Sequence, residues 1–141
     1  MRALIQRVSR ASVRAEGETV GAIGAGLCVL LAVGAGDDEQ CCDRLAEKVR
    51  ALRIFDDDEG KMAQSLGERE VLCVSQFTLY AKSDKGNRPS FSGAAPAQLA
   101  EPLYERFCRQ LDAKSGLFGA AMEVELVNDG PVTLMLEVEP S

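Results

Sequence analysis

The chain has 141 residues, of which 46% are hydrophobic and 27% are charged, and its formal net charge is −6. These values predict one domain, residues 1–141, exclude disordered and fibrous proteins, and argue against a generic nucleic-acid binder. No stretch approaches the roughly 20 apolar residues of a membrane helix, and no signal-peptide core opens the chain, so we expect a cytoplasmic protein with no membrane partner.

The absence of histidine restricts the chemistry that the chain can perform. It excludes serine–histidine and cysteine–histidine hydrolases, histidine-ligated zinc and a histidine general base. The five cysteines are odd in number, and no pair has the two-residue spacing of a zinc or redox motif. We therefore predict no metal and no cofactor, and reduced cysteines that serve as small apolar residues.

The first third of the chain has the pattern of β-strands. Alternating residues predict strands over residues 4–9, 11–15 and 19–23, with a turn at 16–18. The apolar run at 27–33 is typical of a strand that is buried on both faces. We therefore expect the first third of the chain to contribute these four strands to the sheet.

Two helices are predicted further along the chain. The first begins near Asp37, which can cap its first turn, and ends before the polar segment 56–60. Its apolar stripe consists of Cys42, Leu45, Val49 and Leu52. The second begins at Pro96, and Pro102 inside it predicts a kink or a break just before that residue. Its apolar side consists of Leu99, Leu103, Phe107 and Leu111.

The remaining strands complete the predicted sheet. An apolar strand is expected over residues 71–79, and alternating strands over 122–126 and 132–138, joined by a hairpin loop at 128–133. The residues of the first alternating strand that we expect to face the core are Met122, Val124 and Leu126. These elements predict an α+β domain with two main helices on a curved, barrel-like, mostly antiparallel sheet.

Basic residues are concentrated in two short segments. Residues 1–15 contain Arg2, Arg7, Arg10 and Arg14 before the first acid, and residues 82–88 contain Lys82, Lys85 and Arg88 with Asp84 as the only acid. Such clusters on an acidic protein suit contact with a few phosphates. An ordinary mixed surface would give the same pattern, so charge alone leaves both interpretations open.

Two polar segments are unusual for a protein core. Ser-Gln-Phe-Thr-Leu at residues 75–79 ends an apolar strand, although a buried polar group without a partner costs roughly 1–3 kcal/mol. Asn-Asp-Gly-Pro-Val-Thr at 128–133 lies between the last two strands. Taken singly, hydrogen bonding at a strand end and a hairpin turn explain them equally well.

Taken together, the two segments resemble the signature motifs of the D-aminoacyl-tRNA deacylase family. Further segments that resemble the family lie at residues 1–8, 11–13, 53–55, 60–62, 86–91 and 116–120. The resemblance runs nearly end to end. It departs at Ala63, at Ala121 and in a short connection between Met62 and Glu70, which affects the expected shape of those loops.

The resemblance implies a homodimer that hydrolyses the ester joining a D-amino acid, or glycine mischarged on tRNA-Ala, to the 3′-terminal adenosine of tRNA. The catalytic residues that it implies are Ser75, Gln76, Phe77 and Thr78. The substrate-binding residues that it implies are Arg7, Met122, Gly130 and Pro131. Gly130-Pro131 would be a cis dipeptide that enters the partner's pocket and excludes L side chains, and Arg7 would hold that dipeptide in orientation.

Two routes for the reaction stay open. Thr78 could be a covalent nucleophile, or water could attack with help from the 2′-hydroxyl of the RNA and from main-chain N–H groups near Phe77 and Thr78. The second route is favoured because no histidine is present to activate a threonine. Alternative functions are a non-catalytic nucleic-acid-binding module on the same fold and a small-molecule hydrolase or deaminase.

Overall fold

The computed structural model describes residues 1–141, which form eight strands, two helices and a short 3₁₀ turn. In chain order these are β1 (Arg2–Ala15), β2 (Glu18–Ile23), β3 (Gly26–Ala32), α1 (Glu39–Ala51), β4 (Phe55–Asp56), β5 (Met62–Gln64), β6 (Glu70–Ser75), the 3₁₀ turn (Phe77–Tyr80), α2 (Ala97–Gln110), β7 (Lys114–Ser115) and β8 (Met122–Glu137). None of the helices has the length and apolar character needed to cross a membrane.

The sheet is organised around β1. Strands β2, β3 and β8 pair with it in antiparallel fashion, whereas β6 pairs with β3, and β7 with β6, in parallel. Contacts of β2 with β6 and β7 nearly close the sheet into a barrel. The predicted α+β architecture with two helices and a barrel-like sheet is therefore confirmed. The sheet is mixed: the three pairings made by β1 are antiparallel, as predicted for most of the sheet, and the two pairings made by β6 are parallel. The parallel pairing of β3 with β6 arises because the connection through α1 returns the chain in the direction of β3.

The hairpin predicted at residues 128–133 is wrong. β8 is one strand that runs along β1, with Asn128 opposite Val8 and Thr133 opposite Gln6. Residues 129–132 therefore face Arg7 alone and bulge out of the strand pair. We call these four residues the 129–132 excursion. The two strands expected from the sequence are halves of one strand, since both halves find their partner in the same long β1.

The helices differ from the prediction at their ends. Asp38, one residue later than expected, caps α1 and accepts a hydrogen bond from the N–H of Cys41 at 2.9 Å. α1 ends at Ala51, before the polar segment that was expected to stop it. α2 continues through Pro102 without a break. Leu99 is 56% exposed, whereas the other three residues of the expected apolar side are buried, so the first turn of α2 contacts the core through Ala100 and not through Leu99.

Two sets of buried side chains lie on opposite faces of the sheet. The larger set has 24 residues and fills the space between the sheet and both helices. The smaller set has seven residues, contributed by β1, β2, β3 and β6.

A bidentate salt bridge joins the two helices. Arg106 of α2 donates to the carboxylate of Asp43 of α1 at 2.8 and 2.9 Å. The five cysteines are free and buried. Packing on both faces holds the end of β6, where the candidate site begins.

Candidate active site

A pocket of about 400 Å³ opens at the C-terminal end of β6. Of its 13 lining residues, ten are hydrophobic. Four residues implied by the family resemblance line this pocket: Ser75, Gln76, Phe77 and Met122. An apolar cavity with a few polar groups at one end is the usual form of a small-ligand site. The fold thus brings half of the expected site residues into one concave surface.

The polar end of the pocket is held by main-chain hydrogen bonds. Ser75 is the last residue of β6 and lies opposite Leu31 of β3. The next N–H, that of Gln76, donates to the carbonyl of Leu31 at 2.7 Å. The chain then leaves the sheet as the 3₁₀ turn, so the strand predicted over 71–79 ends four residues early. This change of direction presents Gln76 and Phe77 to the cavity.

Thr78 does not line the pocket, but it is hydrogen-bonded to Gln76, which does. Its Oγ1 accepts a hydrogen bond from Nε2 of Gln76 at 2.5 Å. The hydrogen bonds of the turn begin with the N–H of Leu79, which donates to the carbonyl of Gln76 at 3.2 Å. The N–H groups of Phe77 and Thr78 precede this ladder, so the turn itself offers them no acceptor. Such N–H groups suit the stabilisation of a developing oxyanion.

Phe77 marks the mouth of the pocket. Its side chain is 54% exposed and meets the ring of Phe91 edge to face, with ring centroids 5.3 Å apart. An exposed aromatic pair of this kind can stack against a base or cover an apolar group. The sequence analysis placed Phe91 only within a family-like loop, since nothing local indicates that it meets Phe77.

A clamp outside the pocket fixes the 3₁₀ turn. Nη1 of Arg2 donates to the carbonyl of Leu79 at 2.9 Å, and its guanidinium lies 4.4 Å from the centroid of the Tyr80 ring. Glu137 holds the same guanidinium, at 3.3 Å from Nε. Burial raises the pKa of the Tyr80 hydroxyl to about 12, so it stays protonated. Arg2 and Tyr80 are positioning residues that sequence reasoning missed, because their contacts join distant parts of the chain.

Gly34 provides a test of this clamp. A Cβ atom on Gly34 would lie 2.7 Å from the ring and hydroxyl oxygen of Tyr80. We expect Gly34→Ala to displace the ring and to lower the free energy of unfolding by about 1–3 kcal/mol. Urea denaturation of the purified variant measures this value. Gly93→Ala is the control, since its Cβ would meet the same ring at an ordinary 3.7 Å. Equal losses in the two variants would contradict the clamp.

Arg7 and the 129–132 excursion form a second group. Arg7 is 6% exposed, and its guanidinium donates to the carbonyls of Ile54 at 2.8 Å, Asp129 at 3.2 Å and Gly130 at 3.5 Å. Its Nε also lies 3.1 Å from the carboxylate of Asp129. The Gly130–Pro131 peptide bond is cis, and both residues are exposed. Arg7 therefore holds an exposed segment from its buried side.

The amide of Asn128 secures the base of the excursion. Its Nδ2 donates to the carbonyl of Arg7 at 3.0 Å and to that of Val132 at 3.1 Å. Val132 itself is buried. The excursion is thus anchored at both ends and at its centre, although its tip faces solvent.

The two groups do not meet within one chain. Gly130, Pro131 and Arg7 are absent from the pocket wall. Val124, which lines the pocket, lies opposite Val13, whereas the excursion lies opposite Arg7. Six residues of an extended strand span about 20 Å. Along the strand, the excursion is therefore remote from the pocket of its own chain.

The outer part of β8 is apolar and uncovered. β1 is its only strand partner, so its other edge is unpaired over 16 residues. The exposed apolar side chains of this strand are Val124, Val127 and Met135, at 36%, 37% and 50%. Val124 nevertheless shares its side of the strand with Met122 and Leu126 and lines the pocket, so it faces inward as predicted, at a wall that is open to solvent. Long apolar edges of this kind are normally covered by another element or another chain.

Comparisons with known proteins show similarity to tRNA deacylases. The chain matches the family model described as D-Tyr-tRNA(Tyr) deacylase over residues 4–137. A D-aminoacyl-tRNA deacylase of Roseiflexus castenholzii is 55% identical, with 97% of this chain and 92% of the relative covered. One from Thermosipho africanus is 54% identical, with 97% of each chain covered.

Two solved structures have the same fold. A c-Myc DNA unwinding element binding protein superimposes with a TM-score of 0.92 and 43% identity, covering 99% of this chain and 100% of the other. A probable eukaryotic D-amino acid tRNA deacylase superimposes with a TM-score of 0.84, covering 97% of this chain and 98% of the other. At 18% identity the second likeness supports the fold alone.

Proposed function

The chain belongs to the D-Tyr-tRNA(Tyr) deacylase family, and we infer that it is an enzyme that hydrolyses the ester bond of D-aminoacyl-tRNA. The family resemblance noted in the sequence is thereby confirmed. The observation that carries the function is the match over residues 4–137 to a family of this activity. The products are free D-amino acid and tRNA, and the cytoplasm remains the predicted location.

The pocket at the end of β6 is the proposed site of the ester. Its volume of about 400 Å³ suits an aminoacyl group together with part of the terminal adenosine. Ser75 and Gln76 would orient the ester at the polar end. Phe77, with Phe91, would pack against the adenine or the acyl group, and Met122 would contact the acyl group from the opposite wall.

The proposed reaction is attack by water and not by Thr78. The water oxygen bonds to the ester carbonyl carbon, the bond to the ribose oxygen breaks, and the ribose oxygen takes a proton. The 2′-hydroxyl of the terminal ribose assists, and the N–H groups of Phe77 and Thr78 stabilise the oxyanion. Support comes from the Thr78 hydroxyl, which accepts a hydrogen bond from Gln76 and has no histidine to activate it.

Thr78→Ala distinguishes the two routes. Under the water route we expect the rate of D-Tyr-tRNA deacylation to fall about tenfold, because the variant loses one hydrogen bond that orients Gln76. Single-turnover kinetics measure the rate, and Thr78→Ser is the control that should keep most of it. Complete loss in Thr78→Ala, together with an aminoacyl adduct on wild-type Thr78 by mass spectrometry, would establish the covalent route instead.

Selection of the D-ester is proposed to depend on a homodimer. The exposed excursion, its distance of about 20 Å from its own pocket and the unpaired edge of β8 with its exposed apolar residues support a second copy along that strand. In a two-fold dimer each subunit would insert its excursion into the partner's pocket. The carbonyls of Gly130 and Pro131 would then lie beside the Cα of the aminoacyl group.

This arrangement would reject L-residues by steric overlap. An L side chain would point into main-chain atoms of Gly130 and Pro131, whereas a D side chain would point away. Gly130 suits this position because it has no Cβ where the backbone approaches the ligand. Glycine has no side chain to exclude, so glycyl-tRNA-Ala would also be hydrolysed.

The decisive experiment compares D-Tyr-tRNA and L-Tyr-tRNA side by side with the purified protein. We expect rapid loss of the D-ester while the L-ester survives. Survival of both esters would overturn the deacylase function, and loss of both would overturn the chiral mechanism. Hydrolysis of free D-aminoacyl esters at the rate of the tRNA substrate would favour a small-molecule hydrolase.

A second candidate function is DNA binding without turnover. It is favoured by the 43% identity to a c-Myc DNA unwinding element binding protein of the same fold. Fluorescence anisotropy with single-stranded and duplex DNA on the same preparation tests it. Tight binding together with two intact tRNA esters would make this function the better one.

A further inference from the structure

The two basic segments of the sequence have different surroundings in the fold. In the N-terminal segment, Arg2 pairs with Glu137 at 3.3 Å, and Arg7 with Asp129 at 3.1 Å. Arg14 lies directly opposite Glu123 in the pairing of β1 with β8. Opposite charges at such positions largely neutralise each other. Most of the N-terminal positive charge is therefore taken up within the protein.

The second segment keeps its charge. We call residues 82–88 the basic loop. Its three basic side chains are exposed and form no salt bridge: Lys82, Lys85 and Arg88. Asp84 is the only acid in the loop. On a protein of net charge −6, this loop is a local site of attraction for a polyanion.

The basic loop leaves and re-enters the fold at the mouth of the pocket. It begins two residues after the 3₁₀ turn, and reciprocal main-chain hydrogen bonds between Lys82 and Ser90, at 2.7 and 2.8 Å, close it. The next residue, Phe91, packs on Phe77 at the mouth. Ala95 lines the pocket, and its N–H donates to the carbonyl of Val33 at 2.9 Å. Both ends of the loop are thus fixed beside the entrance.

We propose that the basic loop binds backbone phosphates of the tRNA next to its 3′ end, while the terminal ester occupies the pocket. The proposal rests on the proposed function. When the last nucleotide of the tRNA occupies the pocket, the phosphates of the preceding nucleotides must pass the mouth of the pocket. There Lys82, Lys85 and Arg88 are free to pair with them. Each phosphate contact releases counterions, so binding through the loop depends on salt concentration.

The test uses two substrates that differ in phosphate content. D-Tyr-tRNA carries the full backbone, whereas the D-tyrosyl ester of adenosine carries none. We expect replacement of Lys82, Lys85 and Arg88 by alanine to lower kcat/KM for the tRNA roughly tenfold at low salt and to flatten its salt dependence. Turnover of the adenosine ester should be unchanged. A matched control replaces three exposed basic residues outside the loop that form no salt bridge: Arg44, Lys48 and Lys61.

Each outcome has a clear meaning. A loss confined to the tRNA substrate and to the loop variant supports the proposal. An equal loss on the adenosine ester, or an equal loss in the control variant, would overturn it. Unchanged turnover of tRNA by the loop variant would overturn this proposal alone. Absence of turnover of both substrates by the wild type would overturn the proposed function and the proposal with it.

Discussion

Replacing Val127 with aspartate is expected to give a folded monomer whose deacylation of D-Tyr-tRNA falls about a hundredfold or more, a loss of roughly 2.7 kcal/mol in transition-state stabilisation. Val127 is 37% exposed on β8, whose outer edge has no strand partner. In a dimer formed along that strand, a carboxylate would be buried, which costs several kcal/mol. In the monomer, the introduced carboxylate would stay in water opposite Arg10 of β1, so the fold should tolerate it.

Sedimentation velocity, circular dichroism and single-turnover kinetics on the same Val127→Asp sample provide the measurements. Val20→Asp is the matched control, because Val20 is 38% exposed on β2, away from β8. The control should stay dimeric and active. A Val127→Asp protein that remains a dimer, or a monomer with wild-type turnover, would contradict the proposed arrangement. An unfolded variant would be replaced by Met135→Asp, at another apolar residue of β8 that is 50% exposed.

The elements that depend on local pattern could be predicted from the sequence. The alternation in β1 and β2, the apolar run of β3 and the spacing of α1 each reflect burial of one face or both, which a short window of residues encodes. The end of β6 could also be recognised, because three neighbouring polar residues at the end of an apolar strand are unusual. For these elements the boundaries needed correction, and the strands expected over residues 4–9 and 11–15 are one strand, β1.

The course of β8 could not be predicted from its own residues. Asn128-Asp129-Gly130-Pro131 has the same turn chemistry in a hairpin loop and in a bulge within one strand. The difference lies in β1, whose 14 residues offer a partner to both halves. The parallel pairing of β3 with β6 is decided in a similar way, by the connection through α1. Strand direction and continuity are properties of partners that are distant in sequence.

The positioning contacts of the site are also non-local. Arg2 could be identified only as part of a basic segment, although it holds the turn 77 residues away through the carbonyl of Leu79. Val124 alternates as a core residue would and faces the same side as Met122 and Leu126, but it is exposed because it lines the open pocket. Alternation therefore predicts which side of the strand a residue occupies, and not whether distant parts of the chain close that side to solvent.

Replacing Arg7 with alanine is expected to lower both stability and chiral selectivity. The variant leaves the carbonyls of Ile54, Asp129 and Gly130 without their charged donor. Since hydrogen bonds to a charged group contribute about 1.5–3 kcal/mol, we expect the free energy of unfolding to fall by about 3 kcal/mol. Without this anchor, the tip of the excursion would no longer exclude an L side chain, and the ratio of D- to L-Tyr-tRNA hydrolysis should fall at least about tenfold, the equivalent of 1.4 kcal/mol.

Two measurements together decide between a structural and a selective role for Arg7: the free energy of unfolding and the ratio of D- to L-Tyr-tRNA hydrolysis. Arg7→Lys keeps the charge, but one ammonium cannot reproduce the fork of a guanidinium, so both losses should be intermediate. Arg14→Ala, on the same strand and with one exposed hydrogen bond to Gly17, should change stability by no more than about 0.5 kcal/mol. If Arg7→Ala loses stability while its D-to-L ratio stays at the wild-type value, the side chain only supports the fold. A loss of selectivity that exceeds the loss of D-ester turnover would instead require the excursion to contact the aminoacyl group directly, since general unfolding lowers both rates together.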